Sequence, residues 1–400
     1  MDLPGAPMAA KRSLRDATVR GRRVLVRVDF NVPQTPTGEV ADDHRILEAL
    51  PTLRHLESQG ARTILLAHLG RPGGRKDMRY SLRPVVHRLS RYLGRPVPLA
   101  EDCVGISAVQ HAARLENGGF LMLENLRFHP GEEANDPAFA QQLAQLGEFF
   151  VEEAFGSVHR AHASTVGVPS RLPAVAGFLV EREVQELSKL TDGVERPYVA
   201  LLGGAKVADK LPILEGVVGR ADTILLGGAL AFPFLAARGA ELGATAVEPG
   251  LEEPIARFLA KVAHRGTRLE LPVDWIVERP GEREVGYCPA MKVPAGAIAR
   301  DIGPTTRDLF HEALTGSRTV FWNGPLGKAE ELRFSAGTRE VLAGLGTLAG
   351  HHVLAGGDSA RVAQELGVEG AFQFMSTGGG AALEFVAGME LPGLAVLPDA

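Results

Sequence analysis

The feature that most constrains the fold of this chain is a pattern that recurs along its whole length. A short aliphatic run leads into a turn with glycine or charged residues, and an amphipathic helical segment follows. The runs occupy residues 24–28, 63–67, 120–123, 149–151, 198–202, 223–226, 319–322 and 352–354. Strands that alternate with helices favour parallel sheets joined by right-handed crossovers. We therefore predict an α/β fold with doubly wound parallel sheets.

The length of the chain favours two domains, because 400 residues exceed what one ordinary hydrophobic core supports. One segment near the middle differs from the repeated units. Residues 178–190, with the sequence FLVEREVQELSKL, have the periodicity of a charged amphipathic helix, and a turn-rich stretch that ends at Pro197 follows them. We interpret this segment as the connector between the domains.

Composition narrows the possible partners and the compartment. A net charge of −5 gives no general reason to bind nucleic acid or an anionic membrane. The two cysteines, Cys103 and Cys288, lie far apart and outside any CxxC pattern, so we expect inert core thiols in a reducing compartment. The most apolar window, residues 223–237, is too short to cross a bilayer, and residues 1–10 look like a loose leader rather than a secretion signal. We expect a soluble, cytoplasmic protein.

Polar residues follow the first predicted strand. Asp29 and Asn31 come at the end of VLVRVDFNVP, where Pro33 cannot continue a strand ladder. In open α/β sheets, ligands bind at the carboxyl ends of the strands, so these two side chains are candidate ligand contacts. A plain turn is the alternative, because Asp and Asn are common turn residues.

The loops of the first half of the chain carry cations. They are His68 and Arg71 in HLGRP, Arg127 in ENLRF, Arg160 in SVHRAHAS, and Arg45 at the start of a helix. Guanidinium groups match phosphate and carboxylate oxygens, so several of them at βα turns indicate a site for a small polyanion such as a sugar phosphate or acyl phosphate. A single arginine is better explained by a surface charge or an ion pair, but several at βα turns favour the anion site.

The loops of the second half carry glycines instead, at residues 203–210, 225–234, 322–328, 355–360 and 376–384. Such turns let backbone amides approach phosphate oxygens, although they also serve as simple tight turns. If a helix begins near Ala205, Lys206 and Lys210 lie one turn apart and face the same phosphate chain. Asp358 is suited to hold a hard cation such as Mg²⁺.

Sequence motifs for several other kinds of chemistry are absent from the chain. GxxxxGK[ST] is absent, and no strand, GxGxxG and acidic residue occur in the order that dinucleotide binding requires. His159 and His162 lack a carboxylate partner in the sequence, so we assign no transition metal to them. The GxSxG motif of a nucleophile elbow is also absent, so the sequence does not indicate a covalent intermediate.

From about Lys11 to its C-terminus, the chain closely resembles the phosphoglycerate kinase family. The resemblance rests on RVDFNVP, HLGRP, LENLRF, AFGSVHRAHAS, LGGAKVADK, WNGPLG, GGDS and STGGGAALE, which occur in the family's order. It implies two similar-sized Rossmann-like domains joined by a hinge helix, in a monomer. The N-terminal domain, 1–177, would bind 3-phosphoglycerate or 1,3-bisphosphoglycerate, and 178–197 would form the hinge. Residues 198–390 would bind the Mg-nucleotide, and the tail 391–400 would return to the N-terminal domain.

The resemblance also implies a reaction and the residues that perform it. The reaction is reversible transfer of the acyl phosphate of 1,3-bisphosphoglycerate to ADP, which gives 3-phosphoglycerate and ATP in glycolysis or gluconeogenesis. The implied substrate contacts are Asp29, Phe30, Asn31, Arg45, His68, Leu69, Gly70, Arg71, Arg127 and Arg160. The implied nucleotide contacts are Lys210, Asn323, Glu330, Gly356, Gly357, Asp358 and Ser359, with Mg²⁺ at Asp358. The implied catalytic groups are Arg45, Lys206, Gly379 and Gly380, of which Lys206 follows the transferred phosphoryl group.

The chain departs from the family pattern at several positions. Glu152 and Glu153 replace the usual Asn-Asp pair and would add charge beside Arg160; the other departures are Pro233, Ala299-Arg300, Lys328-Ala329, Ala355 and Ser359. None removes a predicted cation or the metal carboxylate, so we expect an active enzyme. Two alternatives remain at this stage: a phosphate-ligand-binding protein without turnover, and a nicotinamide dehydrogenase, which the missing dinucleotide motif disfavours.

Overall fold

A computed structural model of the chain describes residues 10–282 and 284–400. Most of the predicted leader, residues 1–9, lies outside the described residues. The described chain divides into two compact units. We call residues 10–185 together with 390–400 the N-terminal unit, and Glu186–Met389 the C-terminal unit. Within the described part of the chain, no helix is both long and apolar enough to span a membrane.

The strands alternate with helices for most of the described chain. The strands are β1 Arg23–Arg27, β2 Arg62–Leu66, β3 Phe120–Met122, β4 Phe149–Glu152, β5 Ala174–Ala176, β6 Tyr198–Leu202, β7 Thr223–Leu226, β8 Glu241–Leu242, β9 Arg268–Glu270, β10 Asp274–Glu278, β11 Gly286–Pro289, β12 Lys292–Val293, β13 Ile298–Ile302, β14 Thr319–Asn323, β15 His351–Ala355 and β16 Phe374–Ser376. The sequence pattern predicts eight of these within a residue or two. It misses the short strands β5, β9 and β16, as well as β8 and the run from β10 to β13.

The helices cover the sheets and supply much of the core. They are α1 His44–Ser58, α2 Arg83–Leu93, α3 Gly105–Ala113, α4 Pro130–Glu133, α5 Pro137–Ala144, α6 Phe178–Ser188, α7 Val207–Val217, α8 Phe232–Ala236, α9 Glu252–Arg265, α10 Pro304–Leu314, α11 Ala336–Leu345, α12 Gly357–Leu366, α13 Gly380–Val386 and α14 Pro392–Ala395. In α1, the buried residues Ile46, Leu50 and Leu53 recur at helical spacing. That stripe packs with the strand residues of the N-terminal core.

The N-terminal unit is built on a five-stranded parallel sheet in the order β3-β2-β1-β4-β5. Val24, Leu25 and Val26 of β1 are fully buried because helices cover both faces of the sheet. The strand order reverses between β1 and β4, and such a switch point opens a crevice at the carboxyl ends of the strands. The predicted polar loops leave the sheet at this edge.

The C-terminal unit repeats the plan with six parallel strands in the order β16-β15-β14-β6-β7-β9. Counted from β6, this is the same doubly wound order with one further strand, and the switch point lies between β6 and β14. An antiparallel sheet of β11, β10 and β13 and a pair formed by β12 and β8 are added to it. The predicted α/β class with doubly wound parallel sheets is confirmed; the antiparallel addition was not predicted.

Two segments complete the N-terminal unit. In the first part of α6, the Phe178 amide donates to Thr52 Oγ1 at 2.9 Å. The chain leaves the unit within this helix, after Gln185. The tail Glu390–Ala400 belongs to the N-terminal unit, where the Gly393 amide donates to the Val158 carbonyl at 2.8 Å.

Candidate functional site

The predicted cationic loops of the N-terminal unit leave one edge of its sheet. Arg27 is in register with Leu66 on one neighbouring strand and with Glu152 on the other. The chain segments 28–31, 67–71 and 153–160 therefore start side by side, and segment 123–127 starts beside them after β3. The sheet thus brings the loops with Asp29, His68, Arg127 and Arg160 to a common edge.

An ion pair connects Asp29 to Arg45. The guanidinium of Arg45, at the start of α1, donates to Asp29 Oδ2, and the Asp29 side chain is only 9% exposed. The pair depends on Gly156, because a Cβ at that position would lie 2.3 Å from Asp29 Oδ2. A glycine therefore lets the β4 loop pass directly over this charge pair.

A second set of hydrogen bonds joins Asn31 to the HLGRP loop and to Arg127. Asn31 Oδ1 accepts from the Gly70 amide at 2.8 Å, and Arg127 donates to the Gly70 carbonyl at 2.9 Å. Arg127 is only 4% exposed and lies 3.1 Å from a carboxylate oxygen of Glu133. Gly70 has a φ of +62°, and a Cβ there would lie 2.3 Å from the Tyr80 ring. Its backbone can adopt this turn because it has no side chain.

His68 is a neutral ring in a cationic environment. Burial, followed by the positive charge of Arg27 and the neighbouring arginines, holds the pKa of His68 well below its usual value. The guanidinium of Arg27 lies 2.8 Å from His68 Nδ1. Because a guanidinium can only donate, Nδ1 accepts and the ring proton lies on Nε2. His68 is therefore a hydrogen-bond donor through Nε2 rather than a cation.

The remaining predicted residues of this unit differ in exposure. Phe30 and Leu69 are buried and form part of the core. Arg160 is half-buried and donates to the ring of His159 at 3.1 Å. Arg71 is exposed, and it makes no hydrogen bond or ion pair within the described residues. Among the predicted cations of this unit, Arg71 is therefore the one whose side chain the structure fixes least.

In the C-terminal unit, the glycine-rich turns also meet at one sheet edge. Leu202, Asn323 and Ala355 are in register across three neighbouring strands, and Ala355 is in register with Ser376 on the next. The turns that begin at residues 203, 324, 356 and 377 therefore start in one row. Gly203 and Gly227 do not line open space, because a Cβ on either would lie within 2.5 Å of the segment 325–326. These two glycines serve close packing of the turns.

Lys210 and Asn323 lie together behind this edge. Lys210 Nζ donates to the Gly203 carbonyl at 2.6 Å and lies 3.5 Å from Asn323 Oδ1. Burial lowers the pKa of Lys210 to about 8. Asn323 Nδ2 in turn donates to the Ala355 carbonyl at 2.9 Å, which ties the β14 end to the β15 turn.

The prediction that Lys206 and Lys210 share one helical face is wrong. The helix α7 begins at Val207, two residues after the expected start, so Lys206 precedes it. Lys206 has a φ of +61°, which a residue with a side chain adopts at a cost of about 1–3 kcal/mol. Its side chain is exposed, whereas Lys210 is half-buried.

The first amides of α7 already have an acceptor. Glu248 Oε2 accepts from the Val207 amide at 2.8 Å and lies 3.4 Å from the Ala208 amide. The predicted phosphate cradle at this helix start therefore contains a carboxylate of the chain itself. No sequence signal indicated this, since Glu248 lies some 40 residues away from the helix it caps.

The turns after β15 and β16 are open. A Cβ at Gly357 or Gly379 would meet nothing within 4 Å, and Asp358 is exposed in the first turn of α12. Next to it, Ser359 is fully buried and its Oγ has no hydrogen-bond partner in the described structure. An open backbone turn, a free carboxylate and an unsatisfied hydroxyl fit a phosphate group with a hard cation.

Glu330 is the remaining predicted nucleotide contact. It is exposed and follows the β14 turn, in which Lys328 forms an ion pair with Glu331. The departure Lys328 is thus neutralised by a neighbour, while Ala329 is buried. Gly380 opens α13, and Gly379 precedes it with a φ of +48°.

Comparison with known proteins decides the family. The family described as Phosphoglycerate kinase matches residues 14–389. The chain belongs to the phosphoglycerate kinase family. The resemblance drawn from the sequence is thereby confirmed, as is the predicted enzyme: a kinase for the reversible transfer of a phosphoryl group from 1,3-bisphosphoglycerate to ADP.

Relatives and solved structures agree over nearly the full chain. The phosphoglycerate kinase of Pelotomaculum thermopropionicum is 47% identical over 393 residues, which are 98% of this chain and 100% of the relative. That of Rubrobacter xylanophilus is 48% identical and covers 97% of this chain and 98% of its own. The structures of phosphoglycerate kinase from Coxiella burnetii and Pyrococcus horikoshii both match with a TM-score of 0.82, at 34% and 31% identity, over 96% of this chain and 98% of theirs.

Two further residues at the N-terminal edge were not predicted from the sequence. Arg27 is 1% exposed and joins His68 to Ser164, whose Oγ accepts from Arg27 Nε at 2.8 Å. Asn125 is fully buried, donates to the Leu69 carbonyl at 2.7 Å, and its side-chain oxygen accepts from the Arg127 amide. Arg27 belongs to RVDFNVP and Asn125 to LENLRF. The sequence gave no reason to select either one as functional, because Arg27 lies within a predicted strand and Asn125 within a turn.

The departures Glu152 and Glu153 behave differently from the expectation of added charge beside Arg160. Both are buried at the end of β4. Burial raises the pKa of Glu152 to about 8 against the opposing effect of Arg27, and burial raises the pKa of Glu153 well above its usual value. Glu153 faces the Leu179 amide, so neither carboxyl adds an exposed charge at Arg160.

Proposed function

We propose that the two edges are the two halves of one active site, with the acidic substrate at the N-terminal edge and the nucleotide at the C-terminal edge. The observation that carries the first half is the joining of Asp29, Arg45, Asn31, Gly70 and Arg127 by hydrogen bonds at the carboxyl ends of parallel strands. Because these hydrogen bonds already fix the guanidinium groups, binding of phosphate or carboxylate oxygens costs little additional side-chain entropy.

In the N-terminal half, we infer that Asp29 and Asn31 contact the glycerate moiety and that Arg127, Arg160 and exposed Arg71 contact its phosphate. His68 donates its Nε2 proton to the same anion. Because His68 is neutral, its hydrogen bond orients the anion without neutralising its charge. The arginines supply the positive charge. Arg45, held by Asp29, faces the group that is transferred.

In the C-terminal half, Lys210 and Asn323 hold nucleotide phosphates, and the turns at 356–359 and 378–380 hold the phosphates nearer the transferred group. Asp358 would hold Mg²⁺ together with the nucleotide, because it is an exposed carboxylate beside the unsatisfied Ser359 hydroxyl. The ion would neutralise charge on phosphate oxygens. Glu330 is our candidate for the ribose contact.

Phosphoryl transfer needs positioning and charge stabilisation more than covalent help. Lys206 is exposed and carries a strained backbone immediately before α7, so it is suited to follow the transferred group. Since the two halves belong to different units, the segment 178–197 must act as a hinge that brings the ligands into line and excludes water. We further propose a cytoplasmic monomer that acts on small molecules and binds neither nucleic acid nor membrane.

The test is ATP formation from 1,3-bisphosphoglycerate and MgADP by the purified chain and by Lys206→Ala. We expect Lys206→Ala to lower kcat on the order of 10²–10³-fold with little change in KM, because it removes a transition-state contact. Lys292→Ala, in which an exposed lysine of β12 is removed, is the matched control and should retain full activity.

An unchanged kcat with a raised KM in Lys206→Ala would contradict the catalytic role of this lysine. If the wild-type chain formed no ATP while both ligands bound, the chain would be a phosphate-ligand-binding protein instead.

A further inference from the structure

A second polar cluster lies in the N-terminal unit, and no step of the phosphoryl transfer uses it. It consists of Asp102, Cys103 and His129, and we call it the Asp-Cys-His cluster. Their potential ligand atoms all lie within 4.8 Å of one another. Among the described residues, it is the one group of three or more His, Cys, Asp and Glu side chains that is arranged to hold a metal ion.

The fold assembles the cluster from two distant parts of the chain. Asp102 and Cys103 lie in the turn before α3, and His129 follows the short turn Leu126–Phe128 and precedes α4. His129 Nε2 lies 2.6 Å from Asp102 Oδ1, and the same oxygen accepts from the Cys103 amide at 2.7 Å. The His129 ring stacks on Phe139 with a centroid distance of 5.1 Å, which fixes its orientation.

The cluster also has the access that a metal site requires. Cys103 is fully buried, whereas the side chains of His129 and Asp102 are 30% and 42% exposed. An ion would therefore enter from solvent, between the imidazole and the carboxylate, with the sulfur beneath it. Solvent would supply a fourth ligand, which completes a tetrahedral set.

We propose that the Asp-Cys-His cluster binds a Zn²⁺-class divalent ion through Asp102 Oδ, Cys103 Sγ and His129 Nε2. One thiolate, one imidazole and one carboxylate form a donor set of intermediate softness, which zinc and cobalt favour and magnesium does not. On binding, the ion takes the position between His129 Nε2 and Asp102, and the His129 ring carries its proton on Nδ1. The Cys103 S–H bond breaks, the sulfur binds the ion as a thiolate, and the thiol proton goes to solvent. The site is distinct from the proposed Mg-nucleotide site, which lies in the C-terminal unit.

Binding would connect α3 to the turn that carries Arg127, since His129 lies two residues after that arginine. The expectation that Cys103 is an inert core thiol rested on the absence of a ligand pair such as CxxC. It did not anticipate His129, which is 26 residues away in sequence and joins the cysteine only in the fold.

The experiment titrates the full-length, metal-free chain with Co²⁺ and follows the thiolate-to-cobalt charge-transfer absorption. We expect one Co²⁺ per chain, displacement by one equivalent of Zn²⁺, and no displacement by a large excess of Mg²⁺. Cys103→Ser should abolish the band, and His129→Asn should weaken Co²⁺ binding at least about tenfold. Cys288→Ser removes the other buried cysteine, in the C-terminal unit, and should leave the band unchanged.

Circular dichroism of each variant establishes that it is folded, and Asp102→Asn replaces Cys103→Ser if the latter does not fold. Absence of a charge-transfer band in the wild-type chain would overturn the proposal. So would a band that survives in folded Cys103→Ser, or an unaltered affinity in both His129→Asn and Asp102→Asn. None of these outcomes depends on kinase activity, so failure here is separable from failure of the proposed function.

Discussion

Glu152 offers a sharp test of how burial controls charge in this fold. Its carboxyl is fully buried at the end of β4, where Oε1 accepts from the Ala154 amide at 2.9 Å and Oε2 has no partner within the described structure. Burial raises its pKa from 4.5 to about 8, although Arg27 opposes the shift. Folding therefore holds a proton on Glu152 that the unfolded chain releases above about pH 4.5.

The sign and the size of the effect follow from this difference. Between the unfolded and folded pKa values, the folded chain binds more protons than the unfolded chain, so the stability contributed by Glu152 falls as the pH rises. A shift from 4.5 to about 8 corresponds to a ceiling of about 5 kcal/mol, at ~1.4 kcal/mol per pH unit. Glu152→Gln keeps an acceptor for Ala154 and cannot ionise, so it should remove this loss.

The assay is denaturant unfolding at about pH 5 and about pH 8.5, followed by circular dichroism. Relative to the wild-type chain, we expect Glu152→Gln to gain on the order of 2–5 kcal/mol of unfolding free energy between the two pH values. Glu148→Gln removes an exposed carboxylate just before the same strand and should show no comparable change. Both tryptophans, Trp275 and Trp322, lie in the C-terminal unit, so their fluorescence provides an internal reference.

The reasoning would be refuted if Glu152→Gln and the wild-type chain had parallel stability profiles over this pH range. It would equally fail if Glu148→Gln produced the same gain. If Glu152→Gln lost the same unfolding free energy at every pH, the loss would measure the cost of burying the amide group, which is about 1–3 kcal/mol. Such a loss would not be the predicted effect.

Three further predictions concern the two edges. Gly156→Ala should lower kcat/KM for 3-phosphoglycerate on the order of tenfold or more, because the added methyl group would displace Asp29 from Arg45. The KM for ATP should stay constant, and steady-state kinetics with each substrate varied in turn measure both quantities. ADP binding should weaken by up to about tenfold per pH unit above about pH 8, as Lys210 loses its proton, and calorimetry should find a flatter profile for Lys210→Arg. Glu248→Ala should lower the unfolding free energy of the C-terminal unit by ~1 kcal/mol, seen by tryptophan fluorescence, since the cap of α7 is lost.

The sequence by itself determined the class of fold, the reaction and the chemical character of each half. Short aliphatic runs followed by turns and helices fix parallel α/β sheets, because the spacing of apolar residues is local information. The cationic loops and the glycine turns are also local, so the sequence could assign anion binding to one half and phosphate cradles to the other. β6 and β7 fall at the residues the pattern predicts.

Tertiary structure alone decided how those groups are paired, buried and charged. The antiparallel strands β10, β11 and β13 lack the alternation with helices that made the other strands recognisable. Glu248 caps α7 from a distant segment, and Arg27 makes His68 a neutral donor, although neither relation is visible in the chain order. Desolvation depends on which atoms surround a group, and these atoms come from remote parts of the chain. For that reason, the sequence suggested added charge at Glu152, whereas the fold raises its pKa to about 8.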